Sequence, residues 1–116
     1  MSGCIFCSIA NGGTPANLLY EDDHVVAFAD IAPQAPIHML IVPKIHVRNL
    51  TDAVSPEVLG ALCAAVPHVA RTCGVEESGY RIIVNNGPDA GQTVDHLHVH
   101  LLGGTAFSHG MVSTGS

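Results

Sequence analysis

A length of 116 residues accommodates one compact domain and not two. Hydrophobic residues make up 47% of the chain and charged residues 12%, which excludes the composition of a disordered chain. The formal net charge is -6 with only four Lys and Arg, so the chain lacks the basic surface that binds a nucleic-acid polymer. A mononucleotide is compatible with this charge, because backbone N–H groups and a few His side chains suffice for one phosphate.

The apolar stretches are too short to cross a membrane. The segment His38–Pro43 has the length of a strand, whereas a membrane-spanning helix needs about 20 apolar residues. Residues Met1–Cys7 show neither the basic stretch nor the apolar run of a signal peptide. We therefore expect a cytoplasmic protein without a membrane partner.

The first part of the chain predicts one short helix and three strands. Ile5–Ala10 is an apolar helical turn that an Asn-Gly-Gly sequence ends. Leu18–Glu21 and the Val- and Phe-rich His24–Ala29 are predicted strands. The two Pro of Ile31–Pro36 predict a loop, and His38–Val42 is a third strand.

A long helix follows. Ser55 is typical of an N-cap, Pro56 of the first helical position and Glu57 of the first turn. Apolar residues then recur at three- and four-residue spacing: Leu59, Leu62, Ala65, Val66 and Val69. We expect Pro67 to kink this helix, which should end before Gly74.

Two more strands complete the domain. Tyr80–Asn85 and Leu97–Leu102 are predicted strands, separated by the turn-rich loop Asn86–Thr93. The order of elements favours an α+β fold, with a five-stranded antiparallel sheet, one long helix and one short helix. We assign residues 1–104 to this domain and residues 105–116 to a C-terminal tail, whose Gly- and Ser-rich part, Phe107–Ser116, we expect to be loosely ordered.

Three His alternate with apolar residues in the last strand. Because side chains alternate in a strand, His96, His98 and His100 should share one face while the apolar residues pack on the long helix. Three unpaired buried imidazoles would be costly, so the row must face water, a metal or a ligand. Ordinary structural His and a three-His zinc site are the alternatives to a catalytic row.

The loop before this strand favours a ligand. Gly91 lets the backbone approach a bound group closely, and Gln92 and Thr93 carry donors for phosphate oxygens. A glycine loop with polar donors beside a His row is typical of an oxyanion pocket.

The chain contains four Cys. Cys4 and Cys7 have the C-x-x-C spacing of a zinc knuckle or a redox pair, and metal binding is favoured in a reducing compartment. Cys63 and Cys73 lie on the long helix, where we expect them to be small buried hydrophobic residues.

The segment Gly91–Leu102, GQTVDHLHVHLL, resembles the histidine-triad signature, His-x-His-x-His followed by apolar residues. Further segments resemble the nucleotide-binding, phosphoramidase branch of the histidine-triad (HIT) family: Tyr20–Asp23, Ala27–Pro36, His38–Lys44 and Val84–Gly87. The resemblance covers roughly residues 4–104 and implies a homodimer in which two sheets join into one of ten strands.

The resemblance also implies the site residues. His98 would be the nucleophile and form a covalent nucleotidyl-histidine intermediate. His38, His96 and His100 would orient it or assist proton transfer. Binding of the phosphate and leaving group would fall to Asn85, Gly91, Gln92 and Thr93. Asp30 would bind the ribose hydroxyls, and the base would be enclosed by Ile5, Phe6, Ile9, Phe28 and Ile31.

A zinc site needs two ligands besides Cys4 and Cys7, and His46 and His96 are the candidates. The resemblance to zinc-binding bacterial members of the family favours this set. Four protein ligands would close the site, so the zinc would be structural.

The resemblance implies a hydrolase that cleaves phosphorus–nitrogen bonds in adenosine 5′-phosphoramidates and binds purine mononucleotides such as AMP or GMP. The alternatives are a dinucleoside polyphosphate hydrolase, a regulatory module that binds a nucleotide and turns it over weakly, and a zinc hydrolase built on the three His.

Overall fold

A computed structural model describes residues 4–108 of the chain. Five antiparallel strands form one sheet in the order β1-β2-β3-β5-β4. The strands are β1 (Leu18–Glu21), β2 (Val25–Ala29), β3 (Ile37–Pro43), β4 (Tyr80–Ile83) and β5 (Val99–Gly103). The helices are α1 (Ile5–Ala10), α2 (Pro56–Thr72) and a 3₁₀ turn at Pro88–Ala90. The predicted α+β class, with its five-stranded antiparallel sheet and its long and short helices, is confirmed.

The long helix begins as its sequence predicts. Ser55 caps α2 by accepting a hydrogen bond from the Val58 N–H at 3.2 Å, and Pro56 occupies the first turn, where no N–H is needed. The helix continues past Pro67 to Thr72. Among residues 4–108, no helix combines the length and the apolarity that a bilayer crossing requires.

The two faces of the sheet carry separate apolar clusters. One cluster lies under α2 and includes Leu97, Val99 and Leu101, so the predicted packing of this apolar face on the long helix is confirmed. The other lies under α1, where Phe6 packs with Phe28 of β2 and Leu40 of β3. Residues that alternate along the central strands therefore face either the long helix or the short one.

The predicted boundaries of the last two strands are too wide. Strand β5 begins at Val99 rather than Leu97, so His96 and His98 precede it. The hydrogen bonds explain this: the His96 carbonyl accepts from the His98 ring, and the Leu97 N–H donates to Val47 O, outside the sheet. Strand β4 ends at Ile83, two residues before Asn85.

The prediction that Cys63 is buried is wrong, because its position on α2 faces solvent, and Cys73 is only half-buried. Most of the predicted loose tail, residues 109–116, lies outside the described residues. Within the described part, Arg81 donates to Ser108 O at 2.9 Å and lies over the Phe107 ring.

Candidate functional site

A cavity of about 550 Å³ opens between α1 and the face of the sheet that α2 does not cover. The five residues expected to enclose a base all line it: Ile5, Phe6, Ile9, Phe28 and Ile31. Asp30, Thr93, His98 and His100 also line it, so one cavity has apolar walls and a polar end. This combination is typical of sites for small organic ligands.

Sequence reasoning missed one wall of this cavity. The segment from Thr14 to Asn17, between α1 and β1, lines it, as do Leu40 and Val94. These residues carry no catalytic motif, and only the packing of α1 over the sheet brings them to the cavity. The position of Pro15 after a Gly-Gly turn marks a connection but not a ligand wall.

His98 is held in one tautomer. Its Nδ1 lies 2.7 Å from the carbonyl oxygen of His96, which only accepts hydrogen bonds, so Nδ1 carries the proton. The Nε2 atom therefore has a free lone pair. Nε2 has no hydrogen-bond partner among residues 4–108, and the residue is 6% exposed and lines the cavity. The Phe6 ring packs edge-on against the imidazole at 5.2 Å between centroids and limits its rotation.

A hydrogen-bonded chain leads from the loop after β2 to His100. The Gln34 N–H donates to His38 Nδ1 at 2.9 Å, so the proton of the neutral His38 ring is on Nε2. His38 Nε2 donates to His100 Nδ1 at 2.8 Å and lies 3.4 Å from Asp30 Oδ2. The proton of the neutral His100 ring is then on Nε2, a buried atom with no partner in the described part of the chain.

The environment of His100 keeps the ring neutral. Burial, followed by the neighbouring His98 and His38 rings, lowers the pKa of His100 to about 4. The ring is therefore uncharged near neutral pH. The centroid of the His100 ring is 4.8 Å from that of the His98 ring, with the two ring planes at 64°.

Asp30, His38 and His100 bring three potential metal-ligand atoms close together. The tautomer of His38 argues against a metal at this position, because its Nε2 must carry a proton while Nδ1 accepts from the Gln34 N–H. His100 Nδ1 is likewise occupied by the proton that His38 donates. Asp30, His38 and His100 are therefore joined by hydrogen bonds in which the ring nitrogens already have partners. The three His of the alternative zinc hydrolase, His96, His98 and His100, do not form a group of close ligand atoms among residues 4–108.

Cys4, Cys7, His46 and His96 form a second cluster, in which the ligand atoms all lie within 4.8 Å of one another. Cys4 caps α1, so the helical turn brings its thiol next to that of Cys7. Cys7 Sγ lies 3.1 Å from His46 Nδ1, and Cys4 Sγ lies 3.3 Å from His96 Nδ1. Separations of this size match the edges of a tetrahedron with the bond lengths of zinc to sulfur and nitrogen.

The tautomer of His96 suits metal binding. Its Nε2 donates to the Pro43 carbonyl at 2.8 Å, which leaves the lone pair on Nδ1 directed at the two thiols. Burial, more than any neighbouring group, lowers the pKa of His96 and keeps the ring neutral. Two thiols and two correctly oriented imidazoles are a donor set that fits zinc.

The predicted phosphate-binding residues separate into two groups. Thr93 lines the cavity, but Asn85, Gly91 and Gln92 do not. Gly91 ends the 3₁₀ turn with a φ of 83°, a conformation that favours glycine, so its role in the structure is to form the turn. The side chain of Gln92 is directed into the loop and hydrogen-bonds other segments of the chain.

Two further His of the described residues do not line the cavity. His24 and His68 are exposed, and His68 stacks on Tyr20. His109 lies outside the described residues.

Comparison with known proteins shows similarity over most of the chain. The model of the HIT domain family matches residues 11–107. Purine nucleoside phosphoramidase of Escherichia coli K12 is 42% identical over 102 residues, 86% of this chain and 86% of that protein. The 14 kDa zinc-binding protein of Brassica juncea is 43% identical over 105 residues, 86% of this chain and 91% of that protein.

A solved structure, the HIT family hydrolase from Clostridium thermocellum, has a TM-score of 0.91 at 41% identity, covering 97% of this chain and 99% of that one. Sequence and fold therefore agree over nearly the whole chain, which confirms the resemblance drawn from its motifs: the chain belongs to the HIT domain family.

Proposed function

We propose that the protein hydrolyses purine nucleoside 5′-phosphoramidates, with His98 as the nucleophile at the α-phosphorus. The observation that carries this proposal is the tautomer of His98, whose Nε2 lone pair is free at the polar end of an otherwise apolar cavity. A neutral imidazole held in this way is a competent nucleophile. The similarity to a protein named purine nucleoside phosphoramidase supports the choice of substrate.

The reaction takes place in two displacements. His98 Nε2 forms a bond to phosphorus while the phosphorus–nitrogen bond breaks, and the leaving nitrogen takes a proton from solvent. Water then attacks the same phosphorus and loses one proton to solvent, the bond from phosphorus to Nε2 breaks, and the mononucleotide and the neutral imidazole are released. Because the site is the same in both steps, one set of donors serves both.

His100 stabilises the charge that develops on the phosphoryl group. Its Nε2–H lacks a partner among the described residues, and a phosphoryl oxygen in the cavity would accept that hydrogen bond. His38 fixes the direction of this donor by supplying the proton that His100 Nδ1 accepts. Thr93, which also lines the cavity, offers a hydroxyl donor to the same group.

The apolar walls and Asp30 suit the nucleoside. Phe28 and the Ile side chains present flat and aliphatic surfaces to a purine. Asp30 Oδ1 accepts from the Ala32 N–H, and Oδ2 lies near His38, which holds the carboxylate at the cavity to accept hydrogen bonds from ribose hydroxyls.

A substrate panel tests the proposal. We expect turnover of adenosine 5′-phosphoramidate with a kcat/KM well above that for diadenosine polyphosphates, measured by release of AMP. Preferential cleavage of the polyphosphates would identify a dinucleoside polyphosphate hydrolase. Binding of AMP without turnover of either class would identify a regulatory nucleotide-binding module.

We further propose that Cys4, Cys7, His46 and His96 hold one structural zinc ion. Zinc would join α1 to the segment after β3 and to the segment before β5, and it would supply stability rather than a reacting group. The similarity to a zinc-binding protein supports this set of ligands.

The four cysteines form no disulfide in the structure, and a reducing compartment such as the cytoplasm would keep them reduced.

We also propose a homodimer in which the β4 strands of two copies pair and form a ten-stranded sheet. Strand β4 is an edge strand, and it exposes Tyr80, Ile82 and Ile83 to solvent. An exposed apolar edge strand is a template for pairing with another chain.

We expect Ile82→Lys to shift the molecular mass measured by sedimentation from that of two chains to that of one. Leu18→Lys, on the opposite edge of the sheet, should leave this mass unchanged. A single-chain mass for the unsubstituted protein at micromolar concentration would contradict the proposal.

The lowered pKa of His100 predicts how stability depends on pH. The pKa is about 4 in the folded protein and 6.5 in the unfolded chain, so the unfolded chain binds more protons between these values. The contribution of this ring to the free energy of unfolding should therefore fall as the pH is lowered from about 6.5 to about 4. Urea unfolding at several pH values should show a shallower decline for His100→Asn. Equal slopes in the two proteins would contradict the assignment to His100.

A further inference from the structure

The loop from Asn86 to Val94 connects β4 to the polar end of the cavity, where its last two residues, Thr93 and Val94, form part of the wall. We propose that Gln92 is a positioning residue that clamps this loop to the segment Arg48–Thr51, and thereby places Thr93 for phosphate binding. The inference rests on the proposed function, because it assumes that a phosphate group binds at this wall of the cavity.

Both the nitrogen and the oxygen of the Gln92 side-chain amide form hydrogen bonds within the chain. Its Nε2 donates to Arg48 O at 2.7 Å and to Val94 O at 3.0 Å. Its Oε1 accepts from the Gly87 N–H at 2.8 Å and from Asn49 Nδ2 at 3.5 Å. Both amide protons are therefore engaged with backbone carbonyl oxygens, and no donor is left for a ligand.

A second bridge joins the same two segments. Asn86 Oδ1 accepts from the Leu50 N–H at 2.8 Å, and Asn86 Nδ2 donates to Thr51 Oγ1 at 2.9 Å. The loop is thus attached to Arg48–Thr51 near its start and near its end. Two attachment points restrict the movement of the loop relative to Arg48–Thr51 more than one would.

The loop is also closed from within. The Gln92 N–H donates to Gly87 O at 3.1 Å, and Gly91 N–H donates to Pro88 O at 3.0 Å. Gly87 and Gly91 have φ values of 89° and 83°, which permit the tight turns at both ends of the 3₁₀ segment. The Gln92 side chain then connects this closed turn to the cavity wall, because Val94 O and Gly87 N–H bond the same amide.

These contacts predict an indirect effect on binding. Without the Gln92 amide, the Arg48 and Val94 carbonyls and the Gly87 N–H lose their partner, and the loop gains alternative positions. A ligand phosphate must then order the loop as it binds, so affinity for a phosphorylated nucleoside falls. The affinity for the nucleoside alone, which occupies the apolar walls, should not change.

The test compares Gln92→Ala and Gln92→Glu with the unsubstituted full-length protein. In Gln92→Glu, the carboxylate can still accept a hydrogen bond from the Gly87 N–H. It cannot donate to the carbonyl oxygens of Arg48 and Val94. We expect the Kd of AMP to rise about tenfold in both variants, since about 1.4 kcal/mol of preorganisation corresponds to a factor of ten, while the Kd of adenosine stays within about twofold. The exposed Glu77→Ala is the control and should leave both affinities unchanged.

Amide hydrogen exchange in the ligand-free protein separates a clamp from a direct ligand. We expect the Gly87 amide to exchange at least about ten times faster in Gln92→Ala, and the Leu97 amide, which donates to Val47 O, to keep its rate. Unchanged exchange at Gly87 combined with weaker AMP binding would overturn the proposal and make Gln92 a direct ligand. Unchanged AMP affinity would overturn it as well.

A second variant, Asn86→Ala, tests the proposal even if Gln92→Ala does not fold. Asn86→Ala removes only the other bridge, so it should raise exchange at Leu50 and weaken AMP binding in the same direction as Gln92→Ala. Unchanged exchange at Leu50 would contradict the two-point attachment. If the unsubstituted protein binds neither AMP nor adenosine, the proposed function fails, whereas the exchange rates still decide whether the clamp exists.

Discussion

Substitution of His98 by Ala is expected to reduce kcat/KM for adenosine 5′-phosphoramidate by at least about 10³-fold, because no other group can form the covalent intermediate. Asn is a second useful replacement, since its amide can keep a hydrogen bond to the His96 carbonyl while lacking the imidazole nucleophile. Initial rates of AMP release under saturating and limiting substrate measure the effect.

Nucleotide binding should survive these substitutions. The apolar walls, Asp30 and Thr93 remain in place, so the Kd of AMP should change by less than about tenfold, which corresponds to the loss of one hydrogen bond or contact. A matched control is His24→Ala, which removes an exposed imidazole that does not line the cavity and should leave turnover unchanged. Retained turnover in His98→Ala would contradict the proposed nucleophile.

Mass spectrometry of rapidly quenched protein provides a direct view of the intermediate. The unsubstituted protein should carry a nucleotidyl adduct on His98 during turnover, and His98→Asn should carry none. Loss of bound metal as the primary defect of His98→Ala would instead favour a zinc hydrolase built on His96, His98 and His100.

Substitution of Cys7 by Ala is expected to abolish zinc binding and to destabilise the protein by at least about 3 kcal/mol, since loss of a structural metal is among the largest single-residue effects. For a domain of this size, the shift corresponds to a fall in Tm of roughly 10 °C or more. Cys7 is buried between Cys4, His46 and His96, so the substitution also opens a gap among these residues.

Metal content and thermal unfolding provide the measurement. Protein prepared without chelator should contain about one zinc per chain, and chelator should lower the Tm of the unsubstituted protein but not that of Cys7→Ala. Cys63→Ala is the matched control, because that cysteine is exposed on α2 and should affect neither zinc content nor Tm. Absence of zinc from the unsubstituted protein would contradict the proposed site.

Much of the architecture could be predicted from local patterns. The Ser55-Pro56 helix start, the periodic apolar residues of α2 and the short strands bounded by turn residues depend on interactions between residues close in the chain. The alternation of apolar residues and imidazoles likewise predicts correctly that Leu97, Val99 and Leu101 pack toward α2.

The separation of the imidazoles could not be predicted in the same way. His96 donates to Pro43 O and approaches the cysteines of α1, while His100 accepts from His38 on a neighbouring strand. These partners come from residues 53 to 92 positions away, so only the assembled sheet brings them into hydrogen-bond range.

The sequence by itself determined the fold class, the presence of a row of imidazoles and the close cysteine pair, because helix capping and the periodicities of helices and strands are properties of short segments. The tertiary structure decided which ring nitrogen carries each proton and which polar groups reach the cavity. It placed Thr14–Asn17 in the wall and turned Gln92 inward. A tautomer or a side-chain direction depends on the partner that an imidazole or amide meets, and those partners lie on segments that meet only when the chain has folded.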